Sequence, residues 1–166
     1  MSLPRAKVPF VLLVFLVLHL TVLDKIRVFG ASPDAMLLLA VVAGIVGGPK
    51  LGVVIGFAAG LTLDLFLETP MGLSALVFCL VGYGVGNIQG GVLRASWWIP
   101  VLTTLVASAA GELAYALVAT VVGQPHLMTP HLLVVVGVVS VFNALAAPFA
   151  LRMVRWSVAG PERAYI

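Results

Sequence analysis

Six apolar runs, 8–23, 34–48, 51–67, 72–88, 97–122 and 131–156, take up most of this chain, and only short breaks separate them. That pattern fixes the solvent before it fixes the fold. Of the 166 residues, 62% are hydrophobic and 9% are charged; the mean hydropathy is +1.20. Water-soluble domains carry about a quarter charged residues. So few charges cannot cover a surface that faces water, and the chain reads as an integral membrane protein. In hydrocarbon each run must satisfy its own backbone N–H and C=O groups, so the runs are predicted to be helices. The expected fold is all-α, one polytopic domain over residues 1–166 with about six transmembrane helices. The second and third runs are short: fifteen residues of helix reach about 22 Å, less than a hydrocarbon core of roughly 30 Å.

The first run follows Arg5 and Lys7, as in a signal peptide, and Gly30-Ala31 mimics a cleavage site. Five more apolar runs follow and no extracellular domain does, which favours an uncleaved first span. The calculated pI near 9.4 would suit nucleic acid, but the basic residues stand at span ends, where they act as topology signals. With the N terminus inside, Arg5, Lys7, Lys50, Arg94, Arg152, Arg155 and Arg163 fall inside, and Lys25 and Arg27 outside. That bias places both termini in the cytoplasm. Asp24, Asp34 and Glu68 then lie at outer ends and Glu162 inside. Trp97, Trp98 and Trp156 fall at inner interfaces, where aromatic anchors belong. Cys79 is the one cysteine and makes no intrachain disulfide.

The breaks are turns. Gly47-Gly48-Pro49-Lys50 joins the second and third spans, and Glu68-Thr69-Pro70-Met71-Gly72 the third and fourth, so 34–88 reads as a compact antiparallel three-helix unit. Ser32-Pro33-Asp34 reads as a helix start: a hydroxyl cap, proline at the first helical position, and an acid near the positive end of the dipole.

Three groups of residues are candidates for function. Gly52, Gly56 and Gly60 recur every four residues and smooth one face of the third span, either for packing against the second or fourth span or for a helix of another protein. Gly82, Gly84 and Gly86 do not share one face and read as general close packing or local flexibility. Asp64 and Glu112 are costly in hydrocarbon, about 2.5–3.5 kcal/mol for Asp at the bilayer centre. Each lies about 20 Å or slightly more from the inner edge, in the outer half. They read as an ion or proton site, a partner contact, or carboxylates hydrogen-bonded to a neighbouring helix; His19 lies at similar depth and could pair with either. Asn143 and Pro148 in the last span read as interhelical glue and a bend.

Catalytic chemistry finds little support. Gly72-Leu73-Ser74-Ala75 opens the fourth span as in rhomboid intramembrane serine proteases, a remote alternative. The only base candidate, His131, sits at the mouth of the last span, and a serine without a positioned base is a poor nucleophile. No metal-ligand cluster, phosphate loop or dinucleotide fingerprint occurs, so no cofactor, metal or nucleic acid is expected.

Residues 32–86, SPDAMLLLAVVAGIVGGPKLGVVIGFAAGLTLDLFLETPMGLSALVFCLVGYGVG, resemble MreD, the rod shape-determining membrane protein family. The resemblance is carried by Pro33-Asp34, by Gly52, Gly56 and Gly60, by Asp64 a turn later, and by Pro70-Met71-Gly72-Leu73. Leu76 onward to Gly82-Tyr83 extends it, and Asn143 and Pro148 suit the family's last span. It implies a non-enzymatic scaffold in the bacterial cytoplasmic membrane, within the cell-wall elongation machinery. The implied partners are MreC, RodA and its class B penicillin-binding transpeptidase, with MreB indirectly and a homodimer as an option. The family is also similar in layout to the substrate-binding subunits of energy-coupling-factor vitamin transporters. That similarity implies a rival function, a small ligand held near Asp64, Glu68 and Glu112.

Overall fold

A computed structural model describes residues 7–26, 30–66, 70–92, 98–123 and 129–159. Arg5, Arg27, Glu68, Thr69, Arg94, Trp97, Glu162 and Arg163 lie outside the described residues. The described residues form five α-helices and no strand: α1 Lys7–Thr21, α2 Ala35–Asp64, α3 Leu73–Val92, α4 Ile99–Val121 and α5 Leu132–Val158, with a 3₁₀ turn, Leu23–Lys25, after α1. Three of them, α2, α4 and α5, are long and apolar enough to cross a membrane; α1 and 73–88 of α3 are shorter apolar helices.

Although 35–64 forms one continuous run of helical turns, it is not a straight rod. Gly48 has φ +71° and ψ −168°, outside any helix, and Pro49 follows. A Cβ built on Gly52 would stand 3.0 Å from the Gly44 Cα, whereas eight residues of straight helix span about 12 Å. The chain therefore doubles back at Gly48, and α2 is a hairpin with arms 35–47 and 49–64. Glycine suits the reversal because positive φ costs it little, and proline suits the next position because an opening helical residue needs no bonded N–H.

The first arm is the axis of the molecule. Every residue from Ala35 to Gly44 is buried, which explains why this run is apolar all round and lacks a polar stripe. Val11 and Phe15 of α1, Ile55 and Leu63 of the second arm, Val77 and Phe78 of α3, Ala107 of α4, and Ala147, Leu151 and Val154 of α5 pack into the same core. Outward, Leu102, Val106 and Leu117 of α4 and Leu133, Leu145 and Phe149 of α5 are exposed. A soluble monomer does not carry apolar surface on that scale, whereas lipid acyl chains cover it without cost. At one end of the bundle Lys7 Nζ stands 5.0 Å from the centroid of the Trp156 ring, so α1 starts where α5 finishes.

Candidate functional site

Two of the helix starts at the opposite end of the bundle, those of α2 and α3, are built by carboxylates. Asp34 caps α2: its Oδ1 accepts from the backbone N–H of Met36 at 2.9 Å and of Leu37 at 3.0 Å. The expectation of a Ser32 cap with Pro33 as the first helical residue is corrected by this geometry. The cap is Asp34 itself, and Pro33 precedes it. A carboxylate outcompetes a hydroxyl there because its charge also meets the positive helix end.

Asp64 performs the same task for a different helix. It ends α2, is buried, and reaches across the turn to the start of α3. Its Oδ2 accepts from Gly72 N at 2.9 Å and Ala75 N at 3.3 Å, and its Oδ1 from Ser74 N at 3.2 Å. Pro70 closes the turn by accepting from Leu73 N at 3.2 Å, and Gly72 supplies φ +94°. A carboxylate holding three backbone N–H groups is compensated for its burial.

The glycine face is filled from within the chain. Cβ atoms at Gly52, Gly56 and Gly60 would run into the α3 backbone, at the Gly82 carbonyl, the Phe78 carbonyl and the Ser74–Ala75 peptide respectively. A Cβ on Gly82 would fall 2.5 Å from the Gly52 carbonyl oxygen. Gly86 abuts the Gly48–Pro49 peptide and Gly84 meets nothing. As expected, Gly82, Gly84 and Gly86 do not share one face, since Gly84 points away; the reading as general close packing or local flexibility is sharpened, because Gly82 and Gly86, one turn apart, share the face toward α2. The face of the second arm at Gly52, Gly56 and Gly60 is thus a packing surface, and no partner helix occupies it.

Asn143 of α5 donates through Nδ2 to Ser108 Oγ of α4 at 3.1 Å, and both side chains are buried. Pro148 is exposed and α5 continues through it to Val158.

Glu112 joins neither cap. It faces a cavity of about 260 Å³ between the helices, lined also by His19, Ser32, Asp34, Ser74 and Tyr115. Leu37, Leu63, Phe78 and Val139 form apolar parts of the wall. His19 Nδ1 is 3.8 Å from Asp34 Oδ1, within ion-pair range and too long for a hydrogen bond. Asp64 itself does not line this cavity. Neither does His131, which stands exposed at the start of α5 beside Gly30, so Ser74 and His131 are not brought together there. Among the described residues no group of three or more His, Cys, Asp or Glu is placed to hold a metal ion. The expected pairing of His19 with Asp64 or Glu112 is corrected: the acid within ion-pair range of His19 is Asp34, at the start of α2. Sequence reasoning missed Ser108, whose hydroxyl looks like any small residue of a packed helix.

The family model for the rod shape-determining protein MreD matches residues 4–147. No curated protein and no solved structure matches the chain.

Proposed function

The chain belongs to the MreD family of rod shape-determining proteins, and from that premise we propose that it works as a non-enzymatic scaffold of the bacterial cell-wall elongation complex. In this reading it sits in the cytoplasmic membrane with six spans, the hairpin of α2 supplying two of them, and with both termini inside. It holds MreC through that protein's transmembrane helix and keeps RodA and the class B transpeptidase in register, with MreB coupled indirectly. The family match over residues 4–147 carries the reading.

The packing adds a constraint on how such a scaffold grips. With Gly52, Gly56 and Gly60 against α3, a partner helix meets an outward apolar face instead. Affinity capture of the tagged full chain in mild detergent tests the proposal: MreC and the synthase pair come down with it. Their absence, together with a vitamin-like molecule retained through purification, would overturn it in favour of the transporter-subunit reading.

A further inference from the structure

We propose that the end of α5 and the start of α1 together form a docking site for an anionic phospholipid, whose headgroup Lys7, Arg152 and Arg155 hold around Trp156.

The placement of these residues comes first. The outward stripe of α5 runs through Val141, Leu145 and Phe149, all exposed. It continues through Arg152 to Trp156, also exposed, with the exposed Arg155 beside them. Spacings of three and four keep residues on one face of a helix, so the two arginines extend the face that lipid acyl chains cover. Where that face changes from leucine and phenylalanine to arginine and tryptophan, the surroundings change from hydrocarbon to headgroups, the level at which an indole ring belongs. Lys7 arrives from α1. Its Nζ is 5.0 Å from the centroid of the Trp156 ring, a cation–π distance, and it brings a third cation to the same place. A basic residue that only sets topology needs to be on the right side of the membrane. That role requires neither two arginines on the lipid-facing stripe nor a lysine of another helix over their tryptophan.

Charge then selects the occupant. None of the three cations pairs with an acid; among the described residues the one ion pair is His19 with Asp34. The described acids stand elsewhere. Asp34 and Asp64 cap helices at the opposite end, Glu112 faces the cavity beside Asp34, and Asp24 lies in the 3₁₀ turn beyond the far end of α1. A headgroup phosphate supplies the missing negative charge, and a guanidinium meets its oxygens through two parallel N–H groups. A zwitterionic headgroup also brings a cation, for which no described acid is at hand; a lipid of net negative charge does not. Free phosphate has the same oxygens, but only a lipid has chains to lie along Leu145 and Phe149.

The test uses the full chain with Trp97→Phe and Trp98→Phe, which leaves Trp156 as the only tryptophan. Nanodiscs mix phosphatidylcholine and phosphatidylglycerol, each in turn with brominated acyl chains. Quenching of Trp156 fluorescence against composition gives the relative association constant of the two lipids. Phosphatidylglycerol should be preferred about fivefold or more, and Arg152→Gln with Arg155→Gln should bring the constant down to about one. Lys25→Gln, at the far end of α1, should leave it unchanged, and sodium phosphate should displace the lipid no better than sodium chloride of equal ionic strength. A wild-type constant near one, a preference undiminished in the double arginine variant, an equal loss in Lys25→Gln, or a preference lost to phosphate and kept in chloride would each overturn the proposal. Should the arginine variant fail to fold, the wild-type constant decides alone, because phosphatidylcholine offers the same phosphate and chains and differs in its ammonium. The site is independent of the scaffold reading: a chain that captures MreC and shows no lipid preference fails here only.

Discussion

Asp64 belongs to one helix and serves the next. Its carboxylate is the acceptor for three backbone N–H groups at the start of α3, groups that no turn of that helix can satisfy. Removing it leaves those donors unpaired in a buried place, which costs about 1–3 kcal/mol. Asp64→Ala should therefore lower the unfolding midpoint in detergent. Asp64→Asn keeps one acceptor oxygen and should fall between Ala and wild type. An alanine variant as stable as wild type would show the three bonds to be of no consequence. Asn143 and Ser108 make a more modest pair. Interhelical hydrogen bonds in membranes average about 0.6 kcal/mol and reach about 1.7. A double-mutant cycle of Asn143→Ala and Ser108→Ala should return a coupling in that range, and a coupling of zero would mean the contact adds nothing.

At the scale of elements, the α2–α3 contact is the most extensive in the molecule, and glycines on both sides set its spacing. Without side chains the two backbones approach until carbonyls touch Cα atoms, which yields dispersion contacts that lipid does not match. Gly56→Ala would push a methyl into the Phe78 carbonyl, and Gly84→Ala would push one into open space. The first should cost about 1–3 kcal/mol by overpacking, seen as a lower unfolding midpoint, and the second should leave the midpoint unchanged or slightly raised. Equal effects at the two positions would contradict the packing. Much of this contact was readable beforehand. A four-residue glycine spacing on 51–67 and two tight turns imply antiparallel helices in close approach. What was not readable is which of the candidates, the second span, the fourth span or a partner's helix, fills the glycine face; the fourth span, α3, does. Spacing reports a smooth surface and says nothing of what lies on it, so an intramolecular helix and a partner's helix leave the same trace. Likewise the Ser32-Pro33-Asp34 triplet announced a helix start, but three adjacent residues could each claim the cap, and only the backbone path selects Asp34.

At the scale of the whole molecule, helical turns run from Ala35 to Asp64 over 30 residues, enough for one long span or, as the turn at Gly47-Gly48-Pro49-Lys50 predicts, two. A single straight rod would be about 45 Å long, well beyond a hydrocarbon core of roughly 30 Å, and would bury Lys50 near the bilayer centre at a cost of several kcal/mol. The reversal at Gly48 removes both difficulties. It brings the exposed Lys50 to a turn at the end of the bundle opposite Asp34 and Asp64. This architecture makes orientation testable with one residue. In a Cys79→Ala background, Lys50→Cys should react with a membrane-impermeant maleimide in inverted vesicles and stay unlabelled in intact spheroplasts. Lys25→Cys should show the opposite pattern. Labelling of position 50 from neither side would restore the single long span. Labelling of position 50 from outside would place the termini on the outer face, against the direction in which the basic residues point.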